Sequence, residues 1–178
     1  SKFIFEEVDG GNREDFRITG WEKVQELRSG KVTLWDHHFE LPDKHLEAEK
    51  TIQDSVKVGK VTHTLTVGPV KNLDQYAYPG GYAGWFDGVD PNGADNAADL
   101  NKIFEQNARI AGLRMQAEAA AALRIDGHSP CANLIAGHKF TLERHYDADG
   151  DYVLTSVAVE ASIDEDIPGE PTLVYDAR

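Results

Sequence analysis

The side chains of this chain that could do chemistry are 31 carboxylates, 7 histidines and one cysteine. Aspartates cluster at 90–95 (Asp-Pro-Asn-Gly-Ala-Asp) and again at Asp147, Asp149 and Asp151. Hard oxygens around a glycine turn are what calcium requires. The first cluster lacks regular alternate-position ligands and a terminal bidentate glutamate. The second falls where a hairpin turn is expected, so both read as ordinary turns. Zinc sites show local ligand pairs such as two histidines three to five positions apart. His37 and His38 are adjacent and point to opposite faces of a strand, while His138 and His145 are too far apart in sequence. Gly127-His128-Ser129-Pro130 lacks the second glycine of a nucleophile elbow. Cys131 has no neighbouring group that would favour its thiolate. Asp126 and Glu143 make an acid–base pair only if the fold brings them together. We therefore expect no catalytic, cofactor-binding or metal-binding residue, no cofactor, and no enzyme.

The elements that would position such residues are legible in the hydrophobic pattern. Residues 96–127 read as one long helix, with Leu100, Phe104, Ala108, Ala111, Met115, Ala119 and Ala122 forming an apolar stripe. Asn96 suits the N-cap and Gly127 the end. Five alanines between Ala117 and Ala122 allow a close approach to a neighbour. Gly112 inside the helix costs about 1 kcal/mol against alanine unless a neighbouring backbone needs the room.

Strands flank this helix. Ser1 to Gly20 opens with Phe-Ile-Phe-Glu-Glu-Val as a strand and then a turn. Residues 31–39 alternate, with Val32 and Leu34 on one face and Thr33, Trp35 and Phe39 on the other. Arg28-Ser29-Gly30 is turn chemistry before that strand. From Val56 to Val67 the apolar parity switches at Gly59-Lys60, which implies a turn or bulge. Residues 139–162 read as a hairpin around Asp147 to Gly150, with Phe140 and Leu142 facing Val153, Val157 and Val159. The fold expected is α+β: an antiparallel, barrel-like β-sheet with one long α-helix. Domain organisation is read as 1–162 for the globular part and 163–178 for an acidic tail or linker.

The 178 residues suffice for one domain or one and a half, with a real core. A net charge of −13 repels phosphate backbones and anionic lipid, which disfavours nucleic-acid and membrane-surface partners. A lone cysteine makes no intrachain disulfide. There is neither an apolar run of membrane-spanning length nor a signal-peptide pattern. The start at Ser1 and the end at Arg178 read as those of a piece excised from something longer.

Four segments together resemble the Vgr (Rhs-element) family of bacterial type VI secretion spike proteins, and the related tail-hub proteins of contractile-tailed phages. The first is Ile18-Thr19-Gly20-Trp21, then a Ser29-Gly30 turn and a strand running through Asp36, Phe39 and Pro42. The second is Tyr76-Ala77-Tyr78-Pro79-Gly80-Gly81-Tyr82. The third holds Gly127, Ser129, Leu134, Gly137, Phe140 and Leu142. The fourth is the strand from Asp151 to Ala161, where Val159 stands in place of the usual histidine. The resemblance covers about Ile18 to Ser162, the middle of the hub module.

The resemblance implies a structural, trimeric hub connecting the tail tube to the membrane-piercing spike, with two barrel-like domains per subunit. It implies the tail-tube ring protein and baseplate components as partners, with secreted effectors as a further class. It places the protein in the bacterial cytoplasm before firing and outside afterwards. No catalytic residue is carried over, because the family module has none. Pro79-Gly80 reads as a turn with Gly80 free to take positive φ. Two other readings stand beside this one. One is a hydrolase-type domain using an acidic cleft in the Gly/Asp-rich loop 84–96; the other is a calcium-stabilised binding module. Because like charges repel, the isolated chain is expected to be monomeric or weakly associated.

Overall fold

The computed structural model describes residues 1–7, 16–87, 99–163 and 173–177. The Asp90–Asp95 cluster and the Asn96 cap lie outside the described residues. The chain forms two compact units: Ser1–Val24, Lys57–His63 and Arg124–Arg178 make the first, Gln25–Val56 and Thr64–Leu123 the second. Each has its own apolar core. In chain order the strands are β1 (Lys2–Phe5), β2 (Arg17–Ile18), β3 (Gly20–Gln25), β4 (Lys31–Asp36), β5 (Leu46–Thr51), β6 (Ser55–Val58), β7 (Val61–Thr64) and β8 (Asp74–Ala77). The helix α1 (Ile103–Ala122) follows, then β9 (Leu123–His128), β10 (Lys139–Glu143), β11 (Gly150–Val153), β12 (Val159–Ile163) and β13 (Leu173–Ala177).

In the first unit a four-stranded sheet runs β11-β10-β1-β2. The β10–β11 hairpin is the one expected from sequence, antiparallel with Leu142 opposite Gly150 and Phe140 opposite Tyr152. That register corrects the inward face. Tyr152 and Leu154 pack on Phe140 and Leu142, whereas Val153 and Val159 are more than half exposed. Counting from Gly150 opposite Leu142, alternation sends the even positions inward. β12 pairs antiparallel with β13, which lies inside the stretch read as an acidic tail.

The second unit is built on a three-stranded sheet, β5-β4-β8. Val32, Leu34 and Asp36 of β4 are buried and Trp35 is exposed, as the alternation requires, while Thr33 on the Trp35 face is buried as well, its hydroxyl donating to Asp74 Oδ2 at 2.8 Å. Helix α1 packs on β4 and β5.

The α+β class holds, but among the described residues none of the sheets is closed into a barrel, and they are not uniformly antiparallel. β1 lies parallel to both β10 and β2, and β4 parallel to β8. Parallel neighbours need long connections rather than tight turns. In β1 and β10 the connection is most of the chain, a relation that local pattern does not reveal. The turn at Gly59-Lys60 joins β6 to β7, as the parity switch implied. Gly59 has φ +59°, and a Cβ there would run into the backbone at Asp147 and Ala148.

Helix α1 is shorter than expected and turned by about one residue in its first half. Its buried row is Ile103, Asn107, Ala111, Met115 and Ala122, while Phe104 is 47% exposed. Burial follows one four-residue ridge of the helix, the row that packs most closely on a flat neighbour. The pattern reading favoured Phe104 for its size over Asn107, which is buried instead. Gly127 does not end the helix. The backbone becomes extended at Leu123 (φ −140°, ψ 113°), β9 pairs with β3, and the Glu26 N–H donates to the Ala122 carbonyl at 2.9 Å.

No helix is long and apolar enough to cross a membrane among the described residues. Two measurements check the helix orientation. In a denaturant titration, Met115→Ala is expected to cost about 2–5 kcal/mol, and Phe104→Ala clearly less. Nothing lies within 4 Å of a Cβ added at Gly112, so Gly112→Ala is expected to stabilise by about 1 kcal/mol. A loss at Gly112→Ala would show that the helix face is placed wrongly.

Candidate functional site

Among the described residues singled out for chemistry, several are engaged in holding turns. Asp147 Oδ2 accepts from Lys23 Nζ at 2.9 Å. Asp149 Oδ1 accepts the His145 N–H at 2.7 Å, and Asp151 Oδ1 accepts the Thr141 hydroxyl at 2.7 Å. These three carboxylates brace the β10–β11 hairpin. His145 is buried, and its Nδ1 accepts the backbone N–H groups of Ala148 (3.1 Å) and Asp147 (3.3 Å). The same nitrogen lies 3.0 Å from Asp147 Oδ1, so it is engaged within the turn. His38 is buried with Nδ1 accepting the Glu40 N–H at 3.2 Å, while His37 next to it is exposed. No group of three His, Cys, Asp or Glu side chains capable of holding a metal occurs among the described residues.

Ser129 is not presented as a nucleophile. It is buried, its hydroxyl donates to the Arg17 carbonyl at 2.5 Å, and it accepts the Cys131 N–H at 3.1 Å. Cys131 is half-buried against the first unit's core. Asp126 and Glu143 are not brought into one acid–base pair. Each faces its own cation, Asp126 with Arg124 at 3.4 Å and Glu143 with Lys2 at 2.6 Å.

What the structure does assemble is a carboxylate joint in the second unit. β4 ends on Asp36, whose side chain is buried by the same alternation that buries Val32 and Leu34. Its Oδ2 accepts the N–H groups of Gly81 (2.9 Å), Tyr82 (3.1 Å) and Ala83 (3.1 Å). Oδ1 accepts the N–H of His37 at 3.0 Å. The Gly80 N–H adds a bond to the Trp35 carbonyl at 2.8 Å. One side chain thus satisfies a run of consecutive amides that leads into a short 3-10 turn at Ala83–Phe86.

The glycines before it are used differently from the sequence reading. Gly81, not Gly80, takes positive φ (+80°). Gly80 is required for space, since a Cβ there would strike the Tyr82 ring. Tyr82 is fully buried and its hydroxyl donates to the Leu46 carbonyl on β5. Burial first, then the charges of Asp36 and Glu47, pushes that hydroxyl's pKa well above the ordinary phenol range. It stays a donor at any working pH.

A second joint, of aromatic rings, holds the first unit. Trp21 meets Tyr152 edge-on at 4.8 Å and Phe140 at 6.5 Å, and Phe140 stacks with Tyr152 at 5.7 Å. Phe3 adds an edge contact to Phe140 at 5.3 Å. Such pairs contribute about 0.5–1.5 kcal/mol each beyond area burial. Sequence reasoning named Asp36, Gly80, Trp21 and Phe140 as members of motifs but did not identify the joints. The signal available was a lone aspartate at an inward position of an apolar strand.

Two predictions follow from these joints. Asp36→Ala leaves buried amides without acceptors and is expected to cost on the order of 3 kcal/mol or more in a denaturant titration. A loss under about 1 kcal/mol would show that the joint is dispensable. Lys23, by its hydrogen bond, holds the Asp147 carboxyl below its ordinary value of 3.8. A lowered carboxyl pKa stabilises above the unfolded value, and the effect is lost as pH falls through the folded one. Lys23→Met is therefore expected to cost stability at neutral pH, with the gap to wild type closing below about pH 4, as followed by thermal melts across pH.

No curated protein matches the chain. A family model does, that of the phage tail baseplate hub (GPD), over residues 4–165. The match takes in the carboxylate joint, the Trp21–Phe140–Tyr152 cluster and all four of the segments noted in the sequence. Spanning most of the chain, it shows that the protein belongs to the phage tail baseplate hub (GPD) family.

Proposed function

We propose that this chain is the hub portion of a contractile, phage-tail-like spike of the type VI secretion class, joining the tail tube to the puncturing needle without catalysis. Membership of the baseplate hub family supports the structural role. The observation that carries it is how the residues of the Vgr-like segments are employed. Trp21, Phe140 and Tyr152 share one aromatic cluster. Asp36 holds the Pro79-Gly80-Gly81-Tyr82 turn. Ser129 ties the start of the third segment to Arg17. Residues that mark the likeness serve rigidity, which a hub transmitting force between tube and needle needs.

In this reading the full-length protein is a homotrimer that meets the tail-tube ring protein and baseplate components, with secreted effectors as cargo. It resides in the cytoplasm before firing and is exported with the spike. An in-frame deletion of the gene is expected to abolish sheath assembly and release of tail-tube protein into the medium, both restored by a wild-type copy. Sheaths that assemble and fire without the gene would overturn the proposal.

The charge of the chain sets a further expectation. With a net −13 per copy, the isolated chain repels its own copies at low ionic strength. Sedimentation equilibrium at micromolar concentration and low salt is expected to show a monomer or at most a weak oligomer. A tight trimer of this chain alone would contradict the view that like charge keeps isolated copies apart.

A further inference from the structure

The outward face of the β5-β4-β8 sheet carries a cluster of aromatic rings ringed by acids. Register places Glu49 and Tyr76 on either side of Thr33, and Glu47 beside Trp35. Tyr78, just beyond β8, brings its ring to 5.2 Å from Trp35, and His45 stacks on Trp35 at 5.6 Å. Trp35, Tyr76 and Tyr78 are 38%, 58% and 56% exposed. A single exposed aromatic needs no explanation, but three on one sheet face mark an interaction surface.

The charges say what kind of partner fits. Glu47, Glu49 and Asp74 stand around the rings with Lys31, and Arg114 Nη2 reaches the Gly80 carbonyl at 3.5 Å, beyond Tyr78. Lys31 lies at the far end, held by Glu49 at 2.6 Å and Asp74 at 3.7 Å. At the Trp35 end, Glu47 has His45 Nε2 at 3.3 Å. A carboxylate offers about four acceptor sites, so Glu47 keeps capacity for another donor. An anionic partner is repelled here, and an apolar one leaves the acids desolvated. A guanidinium suits both features: its flat face stacks on an aromatic ring and its edge donates bidentately to a carboxylate. An ammonium offers no such plane.

We propose that this face docks an arginine-bearing segment of a protein partner, with the guanidinium stacked on Trp35 and Tyr78 and hydrogen-bonded to Glu47. The site lies wholly within the second unit and adds a surface chemistry to the hub role. It does not depend on which contractile machine the protein serves.

Hexa-arginine and hexa-lysine peptides, titrated calorimetrically into the chain at physiological salt, test this. Arginine is expected to bind about threefold or more tightly than lysine at equal charge. Trp35→Ala and Glu47→Gln are each expected to weaken hexa-arginine binding by about threefold or more. Glu105→Gln, an equal charge loss at an exposed position on α1, is expected to leave binding within about twofold. Glu47→Gln removes no packing, so it keeps the test valid if Trp35→Ala fails to fold. Equal affinity for the two peptides, no binding, or equal weakening by Glu47→Gln and Glu105→Gln would overturn the proposal.

Discussion

The second unit depends on one buried carboxylate accepting successive backbone amides. Asp36 sits at the end of a strand whose inward positions are otherwise apolar, where an unpaired charge would be costly. It is tolerated because Gly81, Tyr82 and Ala83 bring their N–H groups to one oxygen and His37 brings its own to the other. The dependence runs both ways. A turn with several parallel amides cannot be buried without an acceptor, and the acceptor cannot be buried without the turn. Tyr82 extends the joint to β5 through the Leu46 carbonyl, so that β4, β5 and the turn are locked by two side chains.

The first unit solves a similar problem with rings instead of charge. Trp21 and Phe140 come from distant parts of the chain, and Tyr152 lies across the hairpin from Phe140. Their mutual edge and stacked contacts fix how β3 and the β10–β11 hairpin meet. Turn carboxylates then finish the hairpin: Asp149 caps the His145 amide and Asp147 takes Lys23. Asp147, Asp149 and His145 thus serve the geometry of this hairpin.

Much of the architecture was legible in residue pattern, and what was missed has identifiable causes. The parity switch at Gly59-Lys60 located a turn, and the Asp147–Gly150 stretch located a hairpin, because local turn chemistry and alternation report local structure. The parallel placement of β1 beside β10 was not legible, since nothing in Lys2–Phe5 encodes a partner over a hundred residues away. Asn107 was passed over for Phe104 because size and apolarity outrank a polar residue in a pattern, yet helix geometry decides which ridge is covered. Val153 was placed inward by hydrophobicity alone, whereas the pairing of Leu142 with Gly150 fixes the opposite parity. The motif residues were visible before their roles were. Gly80 and Gly81 both stood out, but only the backbone shows that one gives way to a ring and the other takes positive φ.

Amide hydrogen exchange at Gly81, Tyr82 and Ala83 tests the carboxylate joint most directly. In the wild-type chain these amides should exchange as slowly as those of β4, although they lie in a turn. In Asp36→Ala they should lose that protection while the β10–β11 amides keep theirs. Fast exchange at all three in the wild type, or unchanged protection in Asp36→Ala, would contradict the account.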